Sequence, residues 1–302
     1  MTPLLSILKW GISYSLMLLL TACLQQEIRP TPDKNTRGCL IKQKDDYTGY
    51  GNNWELKSQV FEYNTDGNPV RRTFIDIKRK VTEIHTMEYE GLRLKRINQY
   101  KGDTENPANL TAYKTIAISA DFRVMIEHTF QRRDASSFQE TLTRVLEFFR
   151  NDKGDLKLSL NELVTSEATP EKIGQRLGWY WRLEYDTKNE NVARRTYRLP
   201  PDTTVQVQYT LGGFDLNGRS PWNVNFWLSY LRDLDNDFIT GDGYWSENNV
   251  ALLAPGGNKT LFFIIYELNG AGFPCVSYSE RADRVPDSFK SFYYYYNCDC
   301  QR

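Results

Sequence analysis

A turn that recurs three times limits what this chain can fold into. The stretches FEYNTDGNP from Phe61, FFRNDKGDL from Phe148 and YELNGAGFP from Tyr266 share one pattern: an aromatic residue, Asn three positions on, Gly three after that, then Pro or Leu. Asn at the first position of a type I turn accepts from the backbone two residues on, and Gly at the fourth takes the left-handed conformation that closes the turn with a bulge. Asn64 and Gly67, Asn151 and Gly154, and Asn269 and Gly272 are therefore read as hairpin tips. Pro69 and Pro274 sit just past the bulge, where the ladder can do without an N–H. Each aromatic lies on the incoming strand, placed to pack on the sheet.

Alternation of apolar and polar residues dominates the segments between such turns. LKLSLN sets Leu156, Leu158 and Leu160 against Lys157 and Ser159; TFIDIKR does the same with Ile75 and Ile77, and TTVQVQYT with Val205, Val207 and Tyr209. Leu142, Arg144, Leu146 and Phe148 alternate with Thr141, Thr143, Val145 and Glu147, so this segment is a strand as well. DTKNEN and RRDASS are further turns. Aromatic residues make up 14% of the chain, as suits half-buried pleated surfaces. One stretch departs from the pattern: SPWNVNFWLSYLRDL offers Ser220 as N-cap, Pro221 at the first helical position, and Trp222, Phe226, Tyr230, Leu231 and Leu234 at helical spacing. The expectation is an all-β domain over residues 39–302, an antiparallel meander of hairpins in a large twisted or half-rolled sheet, with one short covering helix near residues 221–234. A two-sheet β-sandwich is the alternative.

The first 22 residues have Lys9 as their only charge, an apolar run and small residues before Cys23, which reads as an export signal. The order Leu20-Thr21-Ala22-Cys23 resembles the lipobox of bacterial lipoproteins, and that resemblance implies cleavage before Cys23 and acylation of its thiol, an anchor that holds a protein on a membrane without crossing it. Residues 23–38 are poor in large apolar side chains and carry Pro30 and Pro32, the composition of a solvated tether. Cys39, Cys275, Cys298 and Cys300 remain. In an exported chain an even count points to disulfides, and four thiols allow three pairings. The favoured reading ties Cys39, at the domain's start, to one of the two C-terminal thiols and Cys275 to the other. A zinc site is the competing use of the same residues, but Cys298 and Cys300 lack the usual two-residue gap, so no metal is expected.

The lipobox, the tether, the aromatic-x-x-Asn-x-x-Gly hairpins and the ending FYYYYNC are similar to those of small β-rich lipoproteins of Bacteroidota with YD-repeat-like domains. The turn pattern also resembles the YD repeats of Rhs-type shells, with Asn where Asp is usual and the copies far apart instead of in tandem. The resemblance implies a lipid-anchored envelope protein, facing either the periplasm or the cell surface from the outer membrane, and supplies no catalytic residues.

Basic and acidic residues number 38 each, so no charge excess argues for a nucleic-acid partner. Asp233, Asp235 and Asp237 have the spacing that opens an EF-hand, but Phe238 and Tyr244 stand where Gly and Glu are needed, which leaves an acidic loop. His85 and His128 are the only histidines and lie near no nucleophile motif. Trp179 and Trp181 flank Tyr180, so on a strand both indoles share one face as a candidate stacking platform for sugar rings; on a closed face they would be core. No cofactor is expected. The functional expectation is a non-enzymatic binding or structural module for a glycan or an envelope protein; the competing class is a carbohydrate-active enzyme using an acidic pair.

Overall fold

Among the described residues, alternation and turn chemistry resolve into sixteen strands: β1 (Ile41–Tyr50), β2 (Asn53–Tyr63), β3 (Pro69–Ile75), β4 (Val81–Glu90), β5 (Arg93–Lys101), β6 (Leu110–Ile118), β7 (Val124–Arg132), β8 (Phe138–Arg150), β9 (Leu156–Val164), β10 (Trp179–Tyr185), β11 (Val192–Arg198), β12 (Gln206–Arg219), β13 (Asn248–Pro255), β14 (Phe262–Leu268), β15 (Pro274–Arg281) and β16 (Asp287–Tyr295). The computed structural model describes residues 39–50, 53–164, 179–188, 190–198, 206–222, 225–233, 248–255, 262–281, 287–296 and 298–300. The leader, Cys23, the tether, Val205, Leu234, Asp235 and Asp237 lie outside the described residues.

Every strand pairs antiparallel with the next in sequence, the meander expected from the hairpins. The rolling runs to closure: β1 pairs with β2 on one side and with β16 on the other, from Ile41 opposite Tyr295 to Tyr50 opposite Asp287. Closure removes the edge strands that an open sheet would leave exposed.

The three recurrent turns form in the same way. Gly67, Gly154 and Gly272 donate their N–H to the carbonyls of Asn64, Asn151 and Asn269 at 3.0, 2.9 and 3.0 Å. Each Asn Oδ1 accepts from the N–H four residues on, at 2.9, 2.8 and 3.0 Å. The ladder shifts register beside Pro69 and Pro274, where the bulge sits. At Gly67 φ is +79° and the nearest atom to an added Cβ would be 3.9 Å away, so Gly67→Ala meets strain without a clash. Urea unfolding should show a loss of about 1 kcal/mol, and no loss would remove the conformational reading of the turn.

Two local expectations change. β3 ends at Ile75 because Asp76 Oδ1 accepts from the N–H groups of Lys78 and Lys80 at 2.9 Å each, turning the chain and leaving Ile77 56% exposed. The helix α1 spans Phe226–Asp233, and its N-cap is Asn225, not Ser220: Asn225 Oδ1 accepts from Trp227 N at 2.8 Å and Leu228 N at 3.2 Å. Asn225 also donates through Nδ2 to Gly67 O at 3.1 Å and Asn68 Oδ1 at 3.2 Å, docking the helix on the first hairpin.

The helix lies inside the closed sheet. Consecutive residues Trp227, Leu228, Ser229, Tyr230, Leu231 and Arg232 are all buried, so this stretch has no solvent face. Its contacts reach far around the ring. Trp222, just before it, meets Phe61 of β2; Trp227 meets Tyr89 of β4; Phe226 meets Phe148 of β8, at centroid distances of 6.0, 6.1 and 5.2 Å. Met87, Leu94, Ile97, Ile116, Met125, Leu146 and Leu158 complete a core at the end of the barrel where the Asn hairpins turn. Two disulfides lie at that end, Cys39–Cys298 and Cys275–Cys300.

Candidate functional site

The helix contacts establish which side of each strand faces inward, because register partners share a face. The inward row at Met125 runs Met125, Leu146, Asn161, Trp181, Tyr197 around the ring, and the next row runs Glu127, Arg144, Leu163, Trp179. Higher on the same inner wall, Lys57, Lys101, Gln131 and Gln139 are exposed. The inner wall is therefore dry around α1 and wet towards the opposite end, which makes the barrel a cup with a helical floor.

An ionic layer borders that floor. Glu127, fully buried, takes Lys114 Nζ at 2.8 Å, Arg144 Nε at 3.2 Å and Nη2 at 3.0 Å, and a hydrogen bond from the Tyr230 hydroxyl of α1. Thr129 Oγ1 adds a bond at 3.2 Å. Burial pushes the Glu127 carboxyl up, but Arg144 and Lys114, with the hydrogen bonds of Lys114 and Tyr230, overcome it and hold the pKa at about 2. A general acid needs a raised pKa at its carboxyl, so Glu127 is suited to holding α1 and not to proton donation.

A second buried pair, Lys44 Nζ to Asp46 at 2.7 Å, lies on β1, with the Ser291 hydroxyl of β16 donating to Asp46 across the closing seam. Arg72 donates to Gln59 Oε1 at 2.7 Å and to Leu231 O at 3.4 Å, placing a cation at the carbonyl end of α1, where the helix dipole favours it.

The candidate platform falls on the inner wall. Trp181 is half-buried, pairs across strands with Tyr197 and has the Arg195 guanidinium 5.3 Å from its ring centroid. Trp179 shares that face by register, and its side chain lies outside the described residues. The two histidines are separated by the wall. His85 faces inward with Nε2 2.5 Å from Glu83, and His128 faces outward with Nδ1 2.8 Å from Glu140, so they cannot share a site. Among the described residues no three His, Cys, Asp or Glu side chains gather as metal ligands would.

Sequence reasoning missed Glu127, Lys114, Arg144 and Asn225. The available signal was a charged residue at inward positions of an alternating strand: Met125, Glu127 and Thr129 share the face that packs on the core.

The outer wall differs. It carries cross-strand ion pairs on β2 and β3, Glu62 with Arg71 at 3.2 Å, and on β10 and β11, Glu184 with Arg194 at 2.5 Å, and between them Glu88 accepts from the Asn98 amide at 2.6 Å beside Arg96.

The fold is similar to that of a porin-like protein from Bacteroides uniformis, with a TM-score of 0.53 and 10% sequence identity over 85% of this chain and 96% of that one. A porin-like protein from Bacteroides vulgatus aligns over 85% of this chain and 99% of that one, with a TM-score of 0.38 and 11% identity. No protein-family model matches the sequence, and no curated protein does.

Proposed function

We propose that this protein is a non-enzymatic binding or structural module of the cell envelope: a plugged barrel that does not span the bilayer, held on the outer membrane by lipid on Cys23, with the wet part of its inner wall available to a glycan or a protein partner. The observation that carries the reading is the charged outer wall. A membrane-spanning barrel presents lipid with an apolar band about 25 Å tall, and a charge at the bilayer midplane costs about 2–4 kcal/mol. The ion pairs Glu62–Arg71 and Glu184–Arg194, with Glu88 opposite Arg96 between them, oppose that solvent. The interior opposes conduction as well, because α1 and its apolar core fill one end. A barrel of this kind needs a separate device to stay at a membrane, and the lipobox-like sequence ending at Cys23 supplies one.

Metabolic labelling with an alkyne fatty acid tests the anchor. The wild-type chain should take up label and Cys23→Ser should take up none; equal labelling would defeat the assignment. The half-buried Trp181, beside Tyr197 and Arg195, supports a sugar ligand at the inner wall. Glycan-array binding by protein lacking residues 1–23 should fall in Trp181→Ala, and undiminished binding would remove the inner-wall platform.

A further inference from the structure

The outer wall changes character at the closing seam. On β14, β15, β16 and β1 the outward positions Ile265, Val276, Tyr278, Phe292, Tyr294 and Tyr47 adjoin one another: Ile265 pairs with Tyr278, Val276 with Phe292, and Lys290 with both Tyr278 and Tyr47. Ile265 is 37% and Tyr294 40% exposed, and the rings of Tyr47 and Phe292 meet edge to face at 5.6 Å. Tyr296, 46% exposed, continues the strip beyond β16, with Lys42 Nζ 5.8 Å from its ring centroid. Lys290 lies 5.0 Å from the Phe292 centroid and is exposed. Val276, Tyr278, Phe292 and Tyr47 are half-buried, Asp45 stands opposite Phe292 and the exposed Glu267 opposite Val276, so the strip is an aromatic band bordered by charges, a composition that marks an interaction surface.

We infer that this strip rests on the lipid surface that carries the anchor, so that the barrel lies seam-side down on the membrane instead of hanging free; the inference rests on lipidation of Cys23. Where the chain enters the barrel argues for this occupant. β1 is the first strand and lies in the strip, and only 15 residues separate Cys23 from Cys39. The seam wall is therefore the part of the molecule held nearest the bilayer. Its chemistry suits that position: tyrosine rings sit at headgroup level with their hydroxyls wet, and lysines reach anionic headgroups from a short apolar base. The contact is interfacial, with side chains entering about 5–10 Å, because the charges bordering the strip and the ion pairs on β2–β3 and β10–β11 oppose deeper insertion.

Hydroxyl-radical footprinting of the full lipidated protein tests the inference, comparing vesicles of phosphatidylethanolamine and phosphatidylglycerol with detergent micelles. Oxidation of Tyr47 and Tyr294 should drop about fivefold or more in vesicles, while Tyr113 and Phe130, stacked on the far outer wall, should keep their rates. Tyr294→Glu changes an exposed side chain, so the protein should fold and its Tyr47 should regain the micelle rate. Equal rates in vesicles and micelles would overturn the docking. Protection in micelles together with a dimer mass in sedimentation would assign the strip to a second copy and overturn it too. The intact mass of the N-terminal peptide separates the two levels: acylated but unprotected protein defeats the docking alone, whereas an unacylated Cys23 defeats the docking and the anchor together.

Discussion

Glu127→Gln should lower the unfolding free energy at neutral pH by about 3–5 kcal/mol, the cost of breaking a buried ion pair by removing one partner. The substitution strips Lys114 and Arg144 of a shared carboxylate inside the barrel and weakens the link to the Tyr230 hydroxyl of α1. A pH series gives the same interaction a second signature. The Glu127 pKa falls from its ordinary 4.5 to about 2, so its contribution is fully present above pH 4.5 and is lost as the pH falls through 2. The slope integrates to about 3 kcal/mol over that window and should be missing from Glu127→Gln. A variant that loses less than about 1 kcal/mol would show that the ionic layer does not hold the helix.

Replacing both Cys39 and Cys298 with Ser should cost about 5–6 kcal/mol by loop closure, because their bond closes a loop of 259 residues in the unfolded chain. Its position adds a local consequence. Cys39 precedes β1 and Cys298 follows β16, so the bond staples the base of the only strand pair that joins the chain's two ends among the described residues. Amide exchange in β1 and β16 should then rise more than in β7 and β8, whose pairing is local in sequence. Uniform acceleration across the barrel would argue that the bond acts on the unfolded chain alone.

Much of the strand pattern was readable because its causes are local. Asn64 and Gly67 form the turn with their own backbone, and Leu142 to Phe148 alternate because one face meets the core. Closure has no local cause. Nothing within Ile41–Tyr50 names Asp287–Tyr295 as its partner, and the one hint is the placement of Cys39 and the C-terminal thiols at opposite ends of the domain.

The helix shows a similar limit. Ser220-Pro221 has the chemistry of a helix start, yet Asn225 caps because its amide also bonds the first hairpin, a contact across more than 150 residues of chain. That contact alters the meaning of the hairpin as well: the turn at Asn64 shapes the sheet and also seats the helix that fills it. Trp179 and Trp181 share a face, as two-residue spacing requires, but spacing cannot say which face points inward; the register with Asn161 and Tyr197 does. The ionic layer was least legible, since Lys114, Glu127, Arg144 and Tyr230 come from four elements and meet only through register.

The likeness to a porin-like barrel extends to the sheet, and the proposed plugged, extramembrane cup rests on the outer-wall ion pairs and the helix packed inside. Planar-bilayer recording with the purified lipidated protein tests that claim most directly. The proposed plug and extramembrane wall predict no discrete conductance steps at any protein concentration that saturates the bilayer surface. Reproducible unitary steps, lost on heat denaturation, would contradict both the plug and the extramembrane placement.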